Sequence, residues 1–149
     1  MTRHEARRYV LQALYQIEVG KADTFAAITH VLEDVTVSDT DLAFIRSMVE
    51  GTESKLTEIN DLLIENVQNW TIDRIAKVDL VILRLATFEL LYGHDVAIAT
   101  ILDEAVELAK EFSTDASGKF VNGALARLLP RAREVRGKID KDLENEFQG

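Results

Sequence analysis

The sequence predicts an all-α protein, and three observations carry that prediction. Apolar residues recur in steps of three and four through most of the 149 residues, the period of a helix with one buried face. No stretch alternates as a half-buried strand does, and the single Asn-Gly pair, Asn122-Gly123, sits inside a helical period rather than between apolar runs. Breakers are scarce, with one proline, Pro130, and seven glycines. Six or seven helices are expected in one domain over residues 1–130, without repeat or linker, followed by a charged tail over 131–149.

The first helix should begin at the capping box of Thr2 and Glu5, bury Ala6, Val10, Ala13 and Ile17, and close at Gly20. A shorter helix from about Thr24 to Asp34 would turn Phe25, Ile28 and Val31 inward. Ser38 or Asp39 then caps a heptad-like seam of Leu42, Ile45, Val49, Thr52, Leu56, Ile59 and Leu63. It reads through Gly51 as one helix to about Val67, the glycine costing roughly 1 kcal/mol or allowing close packing. "TIDRIAKVDLVILRLATFELLY" is apolar nearly all round, which marks a central helix, with Arg84 and Glu89 as buried members of polar pairs. "TILDEAVELAKEF" is amphipathic, with Leu102, Ala105, Val106 and Ala109 inward, and "DASGKFVNGALARLL" is a last core helix stopped by Pro130. The tail beyond it should be frayed or extended.

Composition narrows the chemistry. The formal charge is -9 and the pI about 4.8, so indiscriminate nucleic-acid binding is disfavoured and any RNA grip must be local and salt-dependent. The chain has no cysteine, which rules out disulfides and thiolate metal sites and suits a reducing compartment. No export signal or membrane span is evident, and a soluble cytoplasmic protein is expected; the acceptor-like Asn69-Trp70-Thr71 then has nothing to act on. His4, His30 and His94 share no helix face with a second ligand at metal spacing, "SGKF" lacks the rest of a phosphate loop, and Asp103, Glu104 and Glu107 read as a solvated face. No catalytic, cofactor or metal site is expected.

Two stretches can bind. Arg3 and Arg7 are four apart on one helix face, while His4, Arg8, Leu11 and Tyr15 follow the adjacent stripe, and both stripes should face away from the apolar seam. Arginine forks there match phosphate, or merely solubilise the helix. In "DASGKFVNG", a helix N-terminus near Ser117 would present N–H groups to an anion, with Lys119 beside a Phe120 able to stack on an unpaired base. The plainer alternative makes Phe120 a core anchor and Ser117 a cap.

"ARRYVLQALYQIE", "LRLATFEL", "DEAVELAKEF" and "KFVNG" together resemble, in order and spacing, the signature segments of the NusB family of bacterial transcription antitermination factors. The resemblance runs from about Arg3 to Leu129. It implies two perpendicular helical bundles without catalytic activity, pairing with the small-subunit ribosomal protein NusE. The pair captures single-stranded boxA RNA for the antitermination complex of RNA polymerase, notably in ribosomal RNA operons, with no role for DNA or membrane. On this resemblance Arg3, Arg7, Arg8, Lys119 and Phe120 contact RNA, and Tyr15 and Asp79 contact NusE. The chain departs from the family pattern at Arg8, where an acid is common, at Ala116 before the serine, and at Ala97 and Asp103, which replace a usual proline and asparagine. Two other classes remain open: a helical adaptor binding only protein, and a detached domain of the kind that fronts certain RNA cytosine-5 methyltransferases.

Overall fold

The computed structural model describes residues 1–68, 75–93 and 95–148, and among them all regular structure is helical. The helices are α1 (Arg3–Gly20), α2 (Thr24–Val31), α3 (Asp39–Ser54), α4 (Leu56–Asn66), α5 (Lys77–Tyr92), α6 (Ile98–Phe112) and α7 (Asp115–Gln148). Short polar side chains start the first three. Thr2 Oγ1 accepts from the Glu5 N–H at 3.1 Å, Asp23 Oδ1 from the Ala26 N–H at 2.8 Å, and Ser38 Oγ from the Asp41 N–H at 3.1 Å. Helix α1 includes Gly20, and it is Lys21 that takes the left-handed position, at φ 56°. Helix α2 stops three residues short of Asp34, and Phe25, expected inward, is 76% exposed.

The seam through Gly51 is two helices, not one. The chain breaks at Lys55 (φ -107°, ψ 17°), just after two side chains have bonded back onto the helix: Thr52 Oγ1 to the Met48 carbonyl at 2.7 Å and Ser54 Oγ to the Gly51 carbonyl at 3.0 Å. Such back-bonding competes with the backbone ladder and bends helices. Gly51 permits close packing: a Cβ there would lie 2.2 Å from Phe88 Cζ.

Helix α5 is buried on nearly every face from Asp79 to Leu91 and packs against α1, α3, α4, α6 and α7. It thereby joins α1, α2 and α3, which pack on one another, to α4, α6 and α7. The expected start of this central helix, at residues 71–74, lies outside the described residues, as do His94 and Asn69-Trp70-Thr71. Helix α6 buries Ile101, Ala105, Leu108 and Ala109, a stripe turned slightly from the expected one, with Leu102 and Val106 at its half-buried margin. Helix α7 continues past Pro130, and the expected tail is helical to Gln148. Ala132 is buried and Val135 and Ile139 pack against the core, so tertiary burial sustains a helix whose ladder the proline interrupts.

Candidate nucleic-acid interface

The N-terminal arginines diverge once α1 is packed. Arg7, expected on an outward stripe, is only 3% exposed. Its Nε and Nη2 donate to Glu89 Oε1 on α5 at 3.1 and 2.9 Å, a two-pronged buried ion pair. Burial pushes the Glu89 carboxyl above its ordinary pKa, with Arg7 pulling it back down. The physical reason for the misplacement is that α1 is covered on two sides, by α2 and α3 and by α5, so the apolar stripe alone understates its buried arc. Arg3 and Arg8 are exposed as expected. Arg3 lies 4.0 Å over the Phe44 ring and 3.9 Å from Asp41, and Arg8 sits 3.3 Å from Glu111 and 5.8 Å from the Phe112 ring. Aromatic faces thus support both guanidinium groups, and a carboxylate screens each.

Between them His4 faces α6, and the fold gathers what the sequence keeps a hundred positions apart. Its Nδ1 lies 2.6 Å from Glu104 Oε2 and 3.7 Å from Glu107 Oε2, and its Nε2 lies 2.5 Å from Glu111 Oε1. The hydrogen bond to Glu104 leads the causes that raise the His4 pKa, which favours the imidazolium, and in that form the ring clamps α1 to α6. One donor atom each from His4, Glu104 and Glu107 lies within 4.8 Å of the others, a set that can also hold a metal ion. Ligand spacing along one helix cannot reveal a cluster built from two.

At the start of α7 the cap is Thr114 rather than Ser117. Thr114 Oγ1 accepts from the Ser117 N–H at 3.1 Å, and Ser117 Oγ lies 2.9 Å from Ser113 Oγ. The Ser117 amide is therefore occupied, and Ser117 is buried. Lys119 and Phe120 lie exposed on the outer face of the same helix. Of the two residues expected at a protein contact, Tyr15 is exposed and Asp79 is only 6% exposed. Asp79 Oδ1 has no hydrogen-bond partner, and burial raises the carboxyl pKa, with Ser117 acting the other way. Arg84 and Glu89 are buried polar-pair members as expected; Arg84 donates to Glu18 at 2.8 Å and to Asn60 at 3.0 Å, tying α1 and α4 to α5.

A helical scaffold with exposed cations on two edges and a closed core defines a helical binding protein. The chain belongs to the NusB family, whose model matches residues 4–130. It is 46% identical over 128 residues to the transcription antitermination protein NusB of Geobacillus kaustophilus, covering 86% of this chain and 95% of that one. The solved T. maritima NusB is 36% identical and superposes with a TM-score of 0.81 over 87% of this chain and 92% of that one. The same fold, at a TM-score of 0.79 and 22% identity over 88% of this chain and 99% of its own, occurs in a crystal structure of the antitermination factors NusB and NusE in complex with dsRNA.

Proposed function

We propose that this chain is a transcription antitermination factor that pairs with NusE, binds boxA-type single-stranded RNA and promotes read-through by RNA polymerase, notably in ribosomal RNA operons. It acts without catalysis and without a cofactor. The observation that carries the reading is the likeness to an antitermination protein at 46% identity over nearly the whole of that relative. The site geometry supports it: Arg3, Arg8, Lys119 and Phe120 are exposed groups suited to phosphate and to an unstacked base. Arg7 has a different part, holding α1 to α5 so that Arg3 and Arg8 are presented. Tyr15 and Asp79 belong to the NusE contact, where a donor from the partner would satisfy the orphaned Asp79 oxygen. No helix among the described residues is long and apolar enough to cross a membrane, which suits a factor acting on nascent RNA.

The test is titration of boxA RNA with the chain alone and with NusE, at several salt concentrations. Tight binding is expected only with NusE, because the net charge of -9 repels RNA. Arg3→Ala and Arg8→Ala should each lower affinity and reduce the salt slope by about 0.7. Full affinity in the Arg3→Ala, Arg8→Ala double variant would remove the α1 arginines from the RNA contact, and RNA binding by the pair no tighter than by NusE alone would leave a protein-only adaptor as the surviving reading. Asp79→Asn should keep or raise the melting temperature of the free chain while weakening the NusE complex; undiminished NusE affinity would remove Asp79 from the interface.

A further inference from the structure

Helices α1 and α6 each pack against α5, and near the start of α1 the seam between them is crossed by His4 and the glutamates 104, 107 and 111 of α6. These glutamates follow one another at steps of three and four, so α6 presents them on one face. The two edges of the imidazole meet different surroundings. Nδ1 looks onto a pair of carboxylates, 2.6 Å from Glu104 Oε2 and 3.7 Å from Glu107 Oε2, while Nε2 is held from behind by Glu111 Oε1 at 2.5 Å. A single N–H on Nδ1 serves Glu104 and leaves Glu107 out of hydrogen-bond reach. A metal ion serves both: at about 2.0–2.2 Å from a nitrogen and two oxygens it spaces those atoms roughly 3–3.5 Å apart, and the two separations from Nδ1 straddle that range. The carboxylate on Nε2 is the usual outer partner of a metal-bound histidine, fixing its tautomer and ring orientation. Charge points the same way, because the glutamates outnumber the imidazole and the Arg8 guanidinium beside Glu111 even when the ring is protonated. His4 and Glu104 are half-buried and the Glu107 side chain is exposed, which leaves a way in from solvent.

We propose that His4 Nδ1, Glu104 and Glu107 bind a divalent transition-metal ion, with Glu111 orienting the ring from behind, and that the ion staples α1 to α6. The ion takes the place of the proton between Nδ1 and Glu104, which leaves to solvent, and the ring keeps its hydrogen on Nε2 to donate to Glu111. An imidazole nitrogen among carboxylates suits Zn²⁺ or Mn²⁺ rather than Ca²⁺ or Mg²⁺, which favour oxygen ligands alone. Three protein ligands leave a position for water, so the ion exchanges with solvent and takes part in no reaction. The site also adjoins Arg8, whose guanidinium lies 3.3 Å from Glu111. Here the proposal rests on the RNA-binding function above: a bound ion offsets the acidic field around Arg8, so the loaded chain holds phosphate more tightly.

The test starts from the full chain, stripped of metal by a chelator and dialysed, and titrates it calorimetrically with zinc, manganese and magnesium chlorides. One Zn²⁺ should bind per chain, roughly tenfold or more tighter than Mn²⁺, with no binding of Mg²⁺ in the same range, and the melting temperature should rise with it. Glu107→Gln, a change at an exposed side chain, should leave the metal-free melting temperature where it was and lower Zn²⁺ affinity about tenfold or more. Glu111→Gln should cost about ten- to a hundredfold through the lost support of the ring, and His4→Gln should abolish the site. Replacing the other histidines, His30→Gln with His94→Gln, should leave Zn²⁺ affinity at the parent value. Failure of the parent to bind Zn²⁺ overturns the site, and so does parent-like affinity in Glu107→Gln or loss of binding in the His30, His94 double variant. A second arm measures boxA RNA binding by the chain with NusE: one equivalent of Zn²⁺ should raise affinity several-fold in the parent and not in Glu107→Gln. Unchanged RNA affinity in the zinc-bound parent removes the link to Arg8 alone. If the parent pair binds no RNA at all, the antitermination function falls, while the calorimetry still decides the metal site.

Discussion

Arg7 and Glu89 stand 82 positions apart in sequence and meet in a buried, two-pronged ion pair. Removing one partner from such a pair leaves the other buried and uncompensated, which typically costs about 3–5 kcal/mol. Arg7→Ala should therefore lower stability by that order, measured by urea unfolding, and lower RNA affinity only in proportion to the unfolded fraction. Arg7→Met with Glu89→Leu should recover most of the loss, since a packed apolar pair of similar volume replaces both charges; a direct phosphate contact by Arg7 would leave the double variant stable but defective in RNA binding. His4 gives a second prediction, with its sign fixed by the raised pKa. Below the ordinary value of 6.5 the imidazolium is charged in both states and its stabilisation is fully present; as pH rises through the raised folded value the proton leaves and the stabilisation is lost. His4→Gln should thus flatten the fall in melting temperature as pH rises above the ordinary value of 6.5, and an unchanged slope would discard the clamp. The spacing of Arg3, Arg7 and Arg8 on α1 was legible in the sequence. The depth of Arg7 was not, because the arc of a helix that is covered depends on how many neighbours lie over it.

Along the elements, contacts between helices decide two positions where local signals are ambiguous or point the other way. Gly51 read as a glycine inside a long helix that either cost stability or allowed close packing, and the close packing is what the fold uses: Phe88 on α5 would have its Cζ 2.2 Å from a Cβ there. Gly51→Ala should therefore destabilise by about 1–3 kcal/mol through overpacking, despite the gain in helix propensity. Adding Phe88→Leu should recover part of it; thermal melts of the two variants decide. At Pro130 the opposite happened, since a strong local stop signal yields to the burial of Ala132 and the packing of Val135 and Ile139. The N-terminal caps at Thr2 and Ser38 and the all-round burial of α5 were legible because capping and periodicity are written within a single helix. The break at Lys55 was not, because Thr52 and Ser54 could equally have faced solvent, and residue type alone does not choose the rotamer that bonds back onto the helix.

At the scale of the whole molecule, the question is how a chain of net charge -9 holds a polyanion. Each exposed arginine of α1 already has a carboxylate, Asp41 3.9 Å from Arg3 and Glu111 3.3 Å from Arg8. A phosphate must compete with that carboxylate as well as with the field of the acidic surface, and both costs weaken as salt screens them. The sequence showed the arginines and the excess of acid, but only the fold shows which acids face which arginines. Asp41→Asn and Glu111→Gln should therefore raise RNA affinity of the NusE-bound chain several-fold at low salt, and the gain should shrink as salt approaches about 0.15 M, where charges beyond roughly 8 Å are screened. Because Glu111 also accepts from His4, the Glu111→Gln melting temperature must be measured beside its affinity. Asp41→Asn, whose carboxylate serves the chain terminus and Arg3, supplies the independent arm. If both substitutions leave affinity and salt slope where they were, the α1 arginines do not meet phosphate, and the grip on RNA lies with Lys119 and Phe120 alone.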